Sequence, residues 1–443
     1  HMRFLFETNT ETTLGNIKFS IDGSVIDSYK LSLDTIDEPG LYILKVKINT
    51  NIRHKYNYQV DYAKNDDSKT IKGSFTVIPD DDNNDIKFGL VSCNNNGDIT
   101  NWASGWSNLL KRAPDVLIHM GDQIYADSVW GKSPNELKQL YQKTWNEPTQ
   151  AQVMRNTQNM MILDDHEINN DFGTVLKGNL SLQDQQFNKQ NLELYKKYQE
   201  SLVNRHYTDN YYYHINIGKF CIILLDQRVD LYNSGKLFSN KQLSWITDTL
   251  TECRFNNKEP LIISPRVLDS VRPLDNLKYM FKKIILKKKI LNENLLYRDC
   301  LPYTIQLLNI LKTHVYITNN PIKFITGDVH YTYMTDIYDS YTNRKIIRQF
   351  VTSAITQDTV IDNVNIFTKL IKFIEMLIVP RLCGYKFTKK YNLYITNNFG
   401  TLQNNIFNNY IKNKNIDRNK ILYIVNTVRL SIIILFVLLV KYL

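Results

Sequence analysis

The sequence predicts an α/β core built on two sheets, preceded by a small β-sandwich and followed by a hydrophobic C-terminal helix. Three observations predict it. Residues 1–80 hold short alternating runs between turn signals. From Ile86 onward, apolar runs of strand length alternate with longer helical stretches. The last 23 residues, 421–443, are mostly apolar.

In the first 80 residues, polar and apolar residues alternate over Ile17–Ile21, Tyr42–Ile48 and Lys72–Ile78. Asp22-Gly23, Pro39-Gly40 and Asn65–Asp67 supply the turns between them. Alternation of period two marks strands with one buried face, and short strands at this spacing suggest a sandwich. The acidic run Asp80–Asp85 then breaks the pattern. It reads as a solvated linker, with a cation-binding loop as the alternative. The core is placed at 86–410. Phe187–Tyr207 and Thr304–Leu311 are expected helices. Phe281–Lys289 has the pattern of a basic amphipathic helix. Leu370–Val379, closed by Pro380, is an apolar helix that either packs on the core or faces a membrane as a lid.

Residues 421–443 contain 16 Ile, Leu, Val or Phe. As a helix they reach about 35 Å, against a hydrocarbon core of roughly 30 Å. From Ile432 to Val440 the apolar residues cover the whole circumference, unlike an amphipathic core helix. Two readings stand: a membrane anchor or a buried terminal helix. In the first, Lys412, Lys414, Arg418 and Lys420 keep the body of the chain in the cytoplasm. No secretory signal follows His1-Met2-Arg3.

The net charge of +10 favours anionic partners such as phosphate esters or an acidic membrane face. No zinc-finger spacing, RNP signature or long basic arm accompanies it, which speaks against a nucleic-acid partner other than as substrate. The five cysteines are scattered, odd in number and without a CxxC pair. That argues against a disulfide framework and fits a reducing compartment.

Six apolar runs of the core stop at polar residues. Lys87–Val91 leads to Ser92-Cys93-Asn94. Val116–Met120 leads to Gly121-Asp122-Gln123-Ile124-Tyr125-Ala126-Asp127. Met160–Leu163 leads to Asp164-Asp165-His166-Glu167. Cys221–Leu225 leads to Asp226-Gln227-Arg228. Leu261–Ile263 leads to Ser264-Pro265-Arg266, and Ile322–Ile325 to Thr326-Gly327-Asp328-Val329-His330. A strand is apolar throughout when both faces are covered, and ligands of α/β folds gather at the carboxyl ends of such strands. Carboxylates converging there repel one another unless a cation neutralises them. Asp with His, and a thiolate, make a ligand set for a first-row metal, alone or beside a hard cation held by oxygens. One such Asp is more often a helix N-cap; six strand ends in one region are a stronger signal. His119 sits inside an apolar run and reads as a core histidine.

These motifs resemble the metallophosphoesterase superfamily, and within it the PhoD-like alkaline phosphatases. The match rests on Ser-Cys-Asn at 92–94, Gly-Asp-Gln-Ile-Tyr-Ala-Asp at 121–127, Asp-Asp-His-Glu at 164–167, Leu-Asp-Gln-Arg at 225–228 and Gly-Asp-Val-His at 327–330. They occur in the family's order between Ile86 and Ser353, and an N-terminal β-sandwich is typical of the family too. The resemblance implies a four-layer αββα metallophosphoesterase core and a metal-dependent phosphomonoesterase or phosphodiesterase that uses a metal-activated water. It implies two or more metal ions, iron with calcium favoured and zinc, manganese or magnesium as alternatives.

By the same resemblance, Asp122 bridges or flanks two metals. Asp165 is a ligand where the superfamily carries Asn. Asp164 is either a second ligand or the cap of the next helix. Asp328 and His330 match the family's Gly-His-x-His, with Asp in place of the first His. Cys93 and Tyr125 bind iron. His166 touches the scissile phosphate, Glu167 orients His166, and Arg228 clamps phosphate oxygens. Two departures weaken the parallel. Tyr297–Tyr303, with Asp299, replaces a Trp-rich segment, and the Leu261–Arg266 strand end lacks a His. They motivate a second reading, a non-catalytic membrane-tethered binding module whose metal site is structural or vestigial.

Overall fold

The computed structural model describes residues 2–7, 12–21, 24–30, 41–46, 53–64, 67–79, 85–95, 99–129, 131, 133–202, 210–269, 299–356, 381–382, 384–388, 391–394, 398–403 and 406–411. The N-terminal region holds six strands: β1 (Met2–Glu7), β2 (Thr12–Ile21), β3 (Ser24–Lys30), β4 (Leu41–Val46), β5 (His54–Lys64) and β6 (Asp67–Val77). β1 pairs antiparallel with β4. The other four form an antiparallel sheet in the order β3-β2-β5-β6. How these two sheets face each other rests on side chains outside the described set, so the expected sandwich is represented here by its strands.

The core has two larger sheets. The first contains β7 (Phe88–Val91), β8 (Val116–Met120) and β9 (Gln158–Ile162) in parallel, extended by antiparallel β19 (Asn398–Gln403) and β20 (Ile406–Ile411). The second is built around parallel β11 (Phe220–Leu224), β12 (Glu259–Ser264), β13 (Ile322–Thr326) and β15 (Lys345–Val351). β10 (Tyr213–Ile217) flanks β11. On the far side lie β14 (Thr332–Asp339), β16 (Arg381–Leu382), β17 (Tyr385–Phe387) and β18 (Tyr391–Tyr394).

The apolar strands predict what is found between the sheets. Phe88, Leu90, Ile118, Met120 and Ile162 of the first sheet pack against Phe220, Ile222, Leu224, Ile263 and Ile325 of the second. The outer faces are covered by helices. Trp106 and Leu109 of α1 (Ile99–Arg112) and Val153 of α3 (Pro148–Arg155) cover Val91 and Leu117. Ile246 and Leu250 of α6 (Asn240–Phe255), with Leu307 and Leu311 of α7 (Leu301–Thr318), cover Ile223, Ile262 and Phe324. Each fully buried Leu, Ile or Phe contributes about 1.5–3 kcal/mol, so this double-faced burial dominates the fold's stability. Three further helices connect the strands: α2 (Pro134–Trp145), α4 (Leu182–Tyr198) and α5 (Val229–Ser234).

The N-terminal sheet is seated on the core by polar contacts. Tyr58 Oη donates to Arg155 O at 3.0 Å, Ser74 Oγ to Asn156 Oδ1 at 2.9 Å, and Arg53 pairs with Asp115 at 2.7 Å. Gly73 makes this approach possible, because a Cβ there would fall 2.5 Å from Arg155 O.

Two expectations need revision. The expected helix at Phe187–Tyr207 starts earlier, at Leu182, where Ser181 Oγ accepts Asp184 N at 3.1 Å; it ends at Tyr198. Cys221 of β11 and Cys253 of α6 form a disulfide, although spacing predicted reduced thiols. Their 32-residue separation hides that α6 returns across the sheet and brings its end beside β11. Cys93 and Cys300 are buried and free. No described helix is long and apolar enough to cross a membrane. Phe281–Lys289, Leu370–Val379 and the tail 421–443 lie outside the described residues.

Candidate metal centre at the strand ends

The parallel registers bring the carboxyl ends of six strands to one edge of the core. Val91 of β7 pairs level with His119 of β8, and Met120 with Ile162 of β9; in the other sheet Ser264 pairs with Thr326. Just past these ends the chain turns through unusual backbone angles. Cys93, Asp122, Asp328 and His330 all have positive φ, at 55°, 57°, 68° and 58°. Such conformations cost of order 1–3 kcal/mol for residues with a side chain, somewhat less for Asp and His. Four of the nine non-glycine residues with positive φ among the described residues are therefore sequence-predicted ligands at this edge.

The two Gly-Asp pairs have a packing reason. A Cβ on Gly121, whose φ is +92°, would lie 2.4 Å from Asp164 Cβ. A Cβ on Gly327 would lie 2.5 Å from Ser92 Oγ. Glycine at these places lets β8 close on β9 and β13 close on β7, so the following Asp122 and Asp328 reach the same space.

Two groups of metal-capable side chains result. Cys93, Asp122 and His330 form one; Asp122, Asp165 and His166 form the other. In each, the donor atoms lie within 4.8 Å of one another, and Asp122 belongs to both. Cys93 Sγ donates to Asp122 Oδ2 at 3.5 Å and faces Asp328 O at 3.8 Å. The first group spans both sheets. The second comes from the first sheet alone.

Electrostatics explain why the edge calls for cations. Burial pushes Asp122 well above the usual carboxylate range; the His166 charge opposes this, and Asp164, Asp165 and Glu167 add to it. Burial raises Asp164 to about 8 against the pull of Arg228. Burial, then the Asp122 charge, raises the Cys93 thiol, and burial raises the Tyr125 phenol beside Cys93 and Asp122. Tyr125 Oη and Asp164 Oδ2 are buried without a geometrically sound hydrogen bond. Buried acids whose charged forms are disfavoured, beside buried oxygens without hydrogen bonds, fit a site that takes a positive partner. A thiol, a phenol, two imidazoles and carboxylates suit a borderline first-row ion beside a harder one.

His166 stands out as the basic member. Burial alone lowers its pKa, but Asp122, Asp127 and Asp165 together raise it to about 11. Its Nδ1 pairs with Asp127 Oδ2, and its ring stacks on Tyr125 at 4.2 Å. The carboxylate that orients His166 is therefore Asp127, not the expected Glu167. Glu167 is occupied elsewhere: it accepts the backbone N–H groups of Asp122 (3.0 Å), Gln123 (2.6 Å) and Asp164 (3.0 Å), which ties the ends of β8 and β9 together. No expectation attaches to Asp127 itself from the sequence, although it closes the Gly121–Asp127 motif.

Arg228 also differs from its expected place on phosphate oxygens. It is buried, with Nε on Asp164 Oδ1, Nη2 on Asp165 Oδ1 at 3.0 Å and Nη1 on Phe172 O at 3.2 Å. A buried guanidinium among buried acids gains most by pairing with them. Asp165 Oδ2 further accepts Asp171 N at 2.6 Å. Asp164, Asp328 and Tyr125 border the centre without joining either group, and Asp299 is in neither. His119 is a core histidine, between Gln123 Oε1 at 2.8 Å and Asn159 Oδ1 at 3.1 Å. Asn94 is spent on structure, bonded to Gln123 O, Gln150, Trp106 and Thr356.

The sequence of residues 88–256 matches the family model described as PhoD-like phosphatase. No curated protein matches the chain in sequence. Among solved structures, that of PhoD is similar with a TM-score of 0.58 and 12% identity, covering 88% of this chain and 77% of its own. A dimetal phosphatase from Danio rerio is also similar, with a TM-score of 0.39 and 12% identity over 74% of this chain and 99% of its own. The matched segment contains Cys93, Asp122, Tyr125, Asp165 and His166. Residues 88–256 are thus similar in sequence to the PhoD-like phosphatases, and the mixed α/β fold of the chain is similar to that of PhoD.

Proposed function

We propose that the chain is a metal-dependent phosphoric ester hydrolase acting on phosphomonoesters or phosphodiesters. The observation that carries this reading is Asp122, one carboxylate shared by two groups of metal-capable side chains. When bound, two adjacent cations supply Lewis-acid polarisation of the phosphoryl oxygens and acidify water.

The chain's own residues do the rest. Asp122 holds the two halves of the centre at a fixed separation. Cys93, Tyr125 and His330 offer donors on one side, Asp165 on the other, with Asp164 and Asp328 as bordering carboxylates. His166 acts as donor rather than ligand, with its ring stacked on Tyr125 and paired with the Asp127 carboxylate. With Nδ1 engaged by Asp127, Nε2 gives its proton to the departing ester oxygen. Arg228 keeps Asp164 and Asp165 in place as a pair.

Elemental analysis of natively purified protein, with hydrolysis of p-nitrophenyl phosphate and bis-p-nitrophenyl phosphate, tests the proposal. The expected result is bound metal and turnover of at least one ester, lost on chelation. Full metal occupancy without turnover of either would sink it and favour a non-catalytic module.

A further inference from the structure

Cys93 and His330 follow strands of different sheets, yet one residue touches both. Ser353, two residues beyond β15, is fully buried. Its hydroxyl donates to Cys93 Sγ at 3.0 Å and accepts the His330 backbone N–H at 3.2 Å. A hydroxyl has one proton to donate, and the His330 amide has already supplied the other bond, so that proton is directed at sulfur. The neighbouring backbone is fixed to both sheets. Thr352 N donates to Thr326 O at 3.0 Å, Ile355 N donates to Ser92 O at 3.0 Å, and Ser92 Oγ donates to Thr352 O at 3.2 Å. Ser353 therefore cannot swing away without breaking the strap that joins β7 to β13.

We propose that Ser353 is a positioning residue of the metal centre: it stabilises the Cys93 thiolate by donating to sulfur and fixes that sulfur relative to His330. The inference rests on reading Cys93, Asp122 and His330 as a metal site. Cys93 Sγ lies beside Asp122 Oδ2 and Asp328 O, both of which repel a thiolate. A charge-assisted hydrogen bond from Ser353 offsets that repulsion. Partners of this kind orient metal ligands and tune the electrons they offer.

Cobalt(II) is the probe, loaded into the full chain and followed by absorption. The wild-type chain should show a thiolate-to-cobalt charge-transfer band. Removing the hydroxyl with Ser353→Ala raises the energy of the sulfur lone pairs. The band should move to longer wavelength, and cobalt affinity should fall by about 10-fold or more. Ser353→Thr keeps the hydroxyl and should keep the band in place. Ser353→Gly also lacks the hydroxyl and gives the same readout if the alanine variant does not fold. An unmoved band and unchanged affinity without the hydroxyl overturn the proposal. A wild-type chain that binds cobalt with no thiolate band also overturns it, while the hydrolase reading survives through Asp122, Asp165 and His166. A wild-type band without ester hydrolysis overturns the hydrolase reading and leaves the Ser353 result standing.

Discussion

The two halves of the centre are assembled in different ways. Asp122, Asp165 and His166 all follow neighbouring strands of one sheet, and Glu167 binds the ends of those strands together. Cys93 and His330 follow strands of opposite sheets and meet only because Gly327 lets β13 approach Ser92. The first half is set by hydrogen-bonded register. The second is set by sheet-on-sheet packing. The donors differ in the same sense: beside the shared Asp122, a carboxylate and an imidazole on one side, a thiol and an imidazole on the other. A hard ion suits the register-built half and a softer one the packed half.

Asp122 is the residue at which this contrast breaks down, since both halves need it. Asp122→Asn should empty both and lower turnover by about 1000-fold, the several kcal/mol that metal assistance supplies. Metal content and hydrolysis measured on one preparation check this. If one ion is kept at full occupancy, the shared-carboxylate geometry is wrong. His166→Ala comes next, with turnover falling by about 100-fold or more while the cobalt–thiolate band of the Cys93 half persists. Parallel loss of band and turnover would make His166 a ligand and not a proton donor. Asp127→Asn should cost about 10- to 100-fold in turnover with little change in substrate KM, because it acts through His166.

The sequence exposed the candidate ligands better than the hydrogen-bond partners around them. Buried parallel strands must be apolar, so Asp122, the Asp164-Asp165 pair and Asp328 stand out where their runs end. The packing reason for the glycine before Asp122 and Asp328 came only from the structure, where close strand ends admit no Cβ. Partner choice was not readable, since it depends on direction. Glu167 is adjacent to His166 in sequence, yet after one turn it points at the backbone of β8, and Asp127 reaches the ring from 39 residues away. The family resemblance puts Arg228 on phosphate oxygens, but resemblance does not show which acids surround it. Its buried partners Asp164 and Asp165 come from another sheet, 64 and 63 residues earlier. Ser353 carries no motif at all. Only the crossing of its strap between the sheets places it on Cys93.

Gly327→Ala separates the halves through packing. The new Cβ would meet Ser92 Oγ at 2.5 Å and Ser92 Cβ at 2.6 Å, both within a buried seam. A cost of about 1–3 kcal/mol is expected by urea denaturation. The cobalt–thiolate band should weaken, since Cys93 follows Ser92 and shifts with it. The Asp165–His166 half should be spared, so residual hard-metal binding should persist. If the variant loses both ions together, the two halves are mechanically one.

The smallest effect is the pH dependence of stability in the metal-free chain. Burial alone would lower the pKa of His166, yet Asp122, Asp127 and Asp165 raise it from 6.5 to about 11. Burial raises Asp164 from 3.8 to about 8, with Arg228 only partly opposing. In both cases the folded chain keeps a proton that the unfolded chain releases, across 3.8 to about 8 for Asp164 and 6.5 to about 11 for His166. These two groups therefore make stability fall as pH rises through those windows. Without metal, the melting temperature should be higher near about pH 6 than near about pH 9, at roughly 1 °C per kcal/mol for a chain of this size. Saturating metal competes with the same protons, so its stabilisation should grow with pH and flatten or reverse the slope. Scanning calorimetry with and without metal reads both slopes. Parallel slopes would mean that the ions bind away from His166 and the carboxylates around it, and the contrast between the two halves would lose its chemical meaning.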